Sequence, residues 1–152
     1  MAWWKLWGNR DAAPTPDYYE EGVALVAQER YHDALTSFRL ALREQPDDPA
    51  TLEQMAVVFT RIGLTDEAVK MYLKSLEARP DSPSAHYGIA FLLLKQGDRA
   101  AAISHLERFL ASDTGAEEMV KPAQHARETL LRLAAEHESE RVFEGEEEAG
   151  DG

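Results

Sequence analysis

The feature that most constrains this chain is a period. When the 152-residue sequence is laid over itself with a shift of 34, its punctuation realigns. The stretch ERYHDALTSFRLALREQPDDP falls on GLTDEAVKMYLKSLEARPDSP, and then on GDRAAAISHLERFLASDT. Ala34 meets Ala68 and Ala102; Phe38 meets Tyr72 and Leu106; Leu42 meets Leu76 and Leu110. Pro46 meets Pro80, and Pro49 meets Pro83. A fixed period of this size means stacked supersecondary units, because no single unit can bury its apolar face alone.

Inside the period the spacing is helical. PATLEQMAVVFTRIG puts Leu52, Met55, Ala56 and Phe59 on one face at i, i+3, i+4 and i+7. TDEAVKMYLKSLEARP does the same with Ala68, Met71, Tyr72, Ser75 and Leu76. Thr65, followed by Asp66 and Glu67, reads as an N-cap with an acidic first turn. Pro80 stops the helix behind it, and Pro83 opens the next one, where its missing N–H costs nothing. Gly22, Ala56 and Ala90 recur where paired helices must approach closely, and a larger residue there would overpack by about 1–3 kcal/mol.

These residues resemble the tetratricopeptide repeat, a helix–turn–helix unit with this period. The match rests on Gly22, Ala56 and Ala90, with Leu25, Phe59 and Leu93 three residues on. It rests also on Gly63 and Gly97-Asp98 at the turn, where the first unit has Glu29. Ala34/Phe38, Ala68/Tyr72 and Ala102/Leu106 form the second-helix pair, and Pro46 and Pro80 close two units, where the third has Thr114. The motif's leading Trp is replaced by Tyr18, Leu52 and His86. The resemblance implies an all-α fold, a right-handed α-solenoid of three repeats over 15–48, 49–82 and 83–116. A stack of three needs a cap. The stripe Met119, Ala123, Ala126, Leu130 and Leu133 supplies it over 117–137, opposite Arg127, Glu128 and Arg132, with Pro122 in the first turn or at a kink.

In this family the first helix of each unit lines a concave surface. Carried over by position, the lining includes Tyr19, Val23 and Val26 from the first unit. Glu53, Gln54, Val57, Thr60 and Arg61 follow from the second, and Tyr87, Gly88, Phe91, Leu94 and Lys95 from the third. Apolar residues at such positions have two readings: packing against neighbouring helices or a terminal segment, or a groove for a peptide or helix, with Arg61 and Lys95 holding an acidic group. Members that bind acidic C-termini of heat-shock chaperones clamp carboxylates with Lys, Asn and Arg. The matching positions here are Tyr19, Val23, Gln54, Ser84 and Gly88, of which only Gln54 is similar, so that partner class is not expected.

Composition narrows the chemistry. The formal net charge is −12, which repels phosphate backbones and argues against a nucleic-acid partner. There is no cysteine, so thiol catalysis and Cys-ligated zinc are excluded, and a cytoplasmic location is expected. His32, His86, His105, His125 and His137 contain no i, i+4 pair, and no Gly-rich phosphate loop is present. No catalytic residue, metal or cofactor is expected. The function expected is therefore a non-catalytic interaction adaptor or assembly scaffold with a protein or peptide partner.

Both ends lie outside the repeats. Trp3, Trp4 and Trp7, the only tryptophans, lie in MAWWKLWGNR, with Trp3, Leu6 and Trp7 sharing a helical face. Two turns are too short to be stable alone. The segment 1–14 needs a surface: a bilayer interface, making the protein membrane-peripheral, a partner or another copy's groove, making it self-associating, or the first repeat. From Glu136 to Gly152 there are eight acids against one base, so −7 of the −12 lies there. Residues 138–152 read as a disordered acidic tail. In it, Val142-Phe143 is a possible docking element, and the tail can shield the basic groove residues.

Overall fold

The hairpins within the three repeats turn on the same backbone position. Glu29, Gly63 and Gly97, spaced by the repeat period, adopt left-handed φ of 58°, 82° and 86°. The next residue then donates its N–H five residues back: Arg30 to Leu25 O (2.9 Å), Leu64 to Phe59 O (2.9 Å) and Asp98 to Leu93 O (3.0 Å). This closure satisfies carbonyls that the helix end would leave open. Glycine takes the left-handed conformation freely in two turns; Glu29 takes it with a Cβ, at a steric cost.

The computed structural model describes residues 16–112 and 114–150. They form seven helices: α1 (Tyr18–Ala27), α2 (Tyr31–Glu44), α3 (Pro49–Arg61), α4 (Thr65–Ala78), α5 (Pro83–Gln96), α6 (Arg99–Ala111) and α7 (Glu117–Ala149). The chain divides into two compact units, Met1–Pro46 and Asp47–Gly152.

In the first unit α1 packs on α2. Asp17 caps α1 by accepting the Glu20 N–H at 3.1 Å. Leu25, Ala34, Leu35, Phe38 and Ala41 are buried. Gly22 is small for a packing reason, since a Cβ there would overlap the Phe38 ring.

In the second unit α3 packs on α4, α4 on α5, α5 on α6 and α6 on α7. Asp48 caps α3 through Thr51 N–H (2.9 Å), and Ser82 caps α5 through Ala85 N–H (3.4 Å), each followed by a proline in the first turn. The expected face of α3 is buried whole: Leu52, Met55, Ala56 and Phe59. α4 starts differently from expectation. Its N-cap is Leu64, which makes no side-chain cap, and Thr65 is already the first helical residue. The tight Gly63 turn moves the helix start one residue earlier than the cap pattern suggested.

The stripe on α7 packs as its spacing indicates. Ala123 and Ala126 are buried with Ala90, Leu106 and Phe109, and Met119 and Leu130 lie against them. Pro122 stands in the second turn, inside the helix. Two boundaries fall differently. The helix does not stop at 137, and the segment from 138, expected to be disordered, is helical through Ala149. Arg99 of α6 reaches Glu136 (3.7 Å) and Glu140 (2.9 Å), and Glu138 meets Arg141 (3.6 Å), so the part of the acidic run up to Arg141 gains cations.

Replacing Glu29 with glycine should raise stability by about 0.5–1 kcal/mol, whereas Gly97→Ala should lower it by about 1 kcal/mol. Urea denaturation of both variants measures the pair, and equal effects of the same sign would contradict a left-handed turn at both sites.

Candidate functional site

The site is built where α3 and α5 stand side by side in the second unit. Val57, Thr60 and Arg61 of α3 face Tyr87, Gly88, Phe91 and Lys95 of α5 across a groove of about 370 Å³. Helical spacing puts each set on one face. Tyr72 of α4 and Leu92 of α5 complete the lining. Gly88 makes room for Tyr72, because a Cβ at that position would overlap the phenol ring. Burial, with the Glu53 charge behind it, pushes the Tyr72 hydroxyl up to about 12, so it stays neutral.

Arg61 and Lys95 are exposed, and neither meets a carboxylate among the described residues. In a chain of net charge −12, these two cations stand beside the apolar lining.

Tyr87 and Phe91 serve packing and groove at once. Their rings lie 4.8 Å apart, and Tyr87 also packs on Phe109 at 5.1 Å. From α7, His125 stacks on Phe91 at 4.5 Å and pairs its Nδ1 with the Tyr87 hydroxyl at 2.8 Å. The packing reading of these aromatics holds, and the same side chains also line the groove.

Of the residues read as lining, Val57, Thr60, Arg61, Tyr87, Gly88, Phe91 and Lys95 come together. Gln54 and Leu94 are half-buried on the same helices but outside that lining. Tyr19, Val23 and Val26 are half-buried on α1 in the first unit, with the Tyr19 ring 6.2 Å from Phe38. Trp3, Trp4, Leu6 and Trp7 lie outside the described residues.

Glu53 is not part of the groove lining. Its carboxylate accepts the hydroxyls of Ser75 (2.8 Å), Ser82 (2.6 Å) and Ser84, tying α3 to α4 and to the start of α5. Ser75 and Ser82 are buried, so this carboxylate is what satisfies them. The serines carried the signal in the sequence, as polar residues at core-facing positions, but their common acceptor is a tertiary matter.

A second polar contact was also invisible in sequence spacing. His86 Nε2 lies 2.8 Å from the Pro80 carbonyl, and its Nδ1 lies 2.8 Å from His105 Nδ1. A carbonyl only accepts, so His86 Nε2 carries a proton, and one of the two facing Nδ1 atoms donates to the other. Burial, then His86, then Arg108, lowers the His105 pKa below 6.5. Among the described residues no three His, Asp or Glu side chains gather in a way that could hold a metal ion.

Two family models, both described as tetratricopeptide repeat, match residues 19–83 and 63–121. The chain is a tetratricopeptide-repeat protein. It is 34% identical over 86 residues to the photosystem I assembly protein Ycf3 of Prochlorococcus marinus, covering 55% of this chain and 50% of that protein. It is 34% identical over 104 residues to Ycf3 of Acaryochloris marina, covering 63% of each. The chain thus spans between half and under two thirds of these relatives. Among solved structures, the translocator chaperone SycD of Yersinia enterocolitica in complex with a YopD peptide superposes with a TM-score of 0.74. The identity is 18%, over 79% of this chain and 92% of that one. The Sgt2 repeat domain of Aspergillus fumigatus gives 0.66 at 20% identity, over 84% and 88%. These likenesses bear out the all-α solenoid class.

Two measurements test the polar contacts. Glu53→Ala leaves buried hydroxyls without their acceptor and should cost about 1–3 kcal/mol in urea denaturation. A folded-state His105 pKa below 6.5 means that the unfolded chain takes the proton first. The stabilisation is complete above pH 6.5 and is lost as pH falls through the folded value, so stability should decline on acidification, less steeply in His105→Gln. An unchanged slope in that variant would remove His105 from the account.

Proposed function

We propose that this protein is a non-catalytic adaptor or assembly scaffold that holds an acidic amphipathic peptide or helix in the α3–α5 groove. The observation that carries the reading is the groove itself: apolar walls from Val57, Tyr87 and Phe91, with Arg61 and Lys95 beside them, neither meeting a carboxylate among the described residues. Apolar anchors supply the affinity, and the two cations select a carboxylate-bearing partner and set its direction. Tyr87 and Phe91 are already packed on Phe109 and His125, so little ordering cost remains at binding.

The comparisons support the class. The Yersinia structure holds a translocator peptide, and the cyanobacterial relatives are named for photosystem assembly. Another neighbour of the same fold, at 15% identity and a TM-score of 0.65, is bound to an HSP90 peptide ending in acidic residues. The carboxylate-clamp positions differ here, with Tyr19, Val23, Ser84 and Gly88 in place of basic and amide side chains, so the proposed partner is engaged by the apolar groove instead.

Pull-down from native extract compares wild type with Arg61→Glu/Lys95→Glu and with Val57→Glu/Phe91→Glu, after circular dichroism confirms helicity. Both variants should lose the same bands, with affinity falling at least about tenfold in the charge variant. Full retention by both variants would overturn the groove as the binding surface.

A further inference from the structure

We infer that the α3–α5 groove receives the distal part of α7 from a second copy of this chain; this rests on the groove reading above and names its occupant. α7 is held to the fold through Leu133, which is buried, and through the Arg99 contacts to Glu136 and Glu140. From Arg141 to Ala149 every residue is exposed. That stretch continues the helix by about 13 Å beyond its last tie.

This projecting part is amphipathic. Glu138, Ser139, Val142, Phe143 and Glu146 form one face, with Val142 55% and Phe143 63% exposed. Glu144, Glu146, Glu147 and Glu148 meet no cation among the described residues. Closely spaced like charges weaken a solvated helix, and Gly145 in its middle weakens it further. A surface with an apolar floor, and cations that meet no carboxylate among the described residues, would cover Val142 and Phe143 and offset the like charges, and the groove between α3 and α5 is such a surface.

The groove does not receive the same chain's tail, since Val142 and Phe143 stand exposed and neither lines it. The Trp-rich N-terminal segment is the rival occupant. It carries Lys5 and Arg10 and would bring cations to a groove edged by Arg61 and Lys95, whereas the tail brings carboxylates.

Sedimentation equilibrium of the full chain tests the pairing. Wild-type mass should rise with concentration. Phe143→Glu and Arg61→Glu/Lys95→Glu, all at exposed positions, should each weaken association at least about tenfold with unchanged circular dichroism. Mixing the two variants should restore the heavier species, because one carries an intact groove and the other an intact tail. Removal of residues 1–10 should leave association unchanged. A wild-type chain that stays monomeric, association that survives either variant, failure of the mixture, or loss on removing residues 1–10 would each overturn the inference. The groove reading would still stand in those cases if the extract partners are lost from the charge variant.

Discussion

A left-handed residue followed by a five-residue backward hydrogen bond closes the pairs α1–α2, α3–α4 and α5–α6. That closure sets where the second helix of each pair begins, and with it which side chains face which. Ala68 meets the core, and Tyr72 reaches the groove floor, because the turn at Gly63 starts α4 at Thr65 and at no other residue. The cost of the device differs between repeats. Gly63 and Gly97 adopt it freely, while Glu29 bears it with a side chain. A backbone rule repeated along the chain is thus the source of the periodic surface on which function is built.

The second unit adds polar contacts between helices that spacing along one helix does not show. Glu53 gathers three serine hydroxyls from two other helices, and His86 joins α5 to α6 through His105. Glu53 reaches the neighbouring pair through Ser84, the His86–His105 contact lies within the α5–α6 pair, and an unsatisfied buried group at either place would be expensive. Their effect on the groove is indirect. Glu53 ties α3 to α4 and to the start of α5, and His125 stacks on the ring of Phe91, so contacts within the fold position the groove walls.

Much of the groove was legible in advance. Val57, Arg61, Tyr87, Phe91 and Lys95 follow from counting along two helices in phase with the repeat. Glu53 was placed among them because position alone does not reveal which side of a helix boundary a carboxylate turns toward. Tyr72 was read as core, and it is, but its ring edge also reaches the groove because Gly88 lacks a Cβ. The acidic segment from 138 read as disordered because its composition is highly charged. Arg99, distant in sequence, supplies the countercharge that composition does not register.

The sequence by itself determined the helical class, the repeat period, the turn positions and the apolar stripes, because these are local matters of spacing, glycine and proline. Tertiary structure decided what the polar residues do. The shared acceptor for Ser75, Ser82 and Ser84, the pairing of His86 with His105, and the tie of Arg99 to Glu136 and Glu140 depend on groups brought together from different helices. Hydrogen bonds and ion pairs are short-ranged and directional, so their partners exist only once the helices have packed.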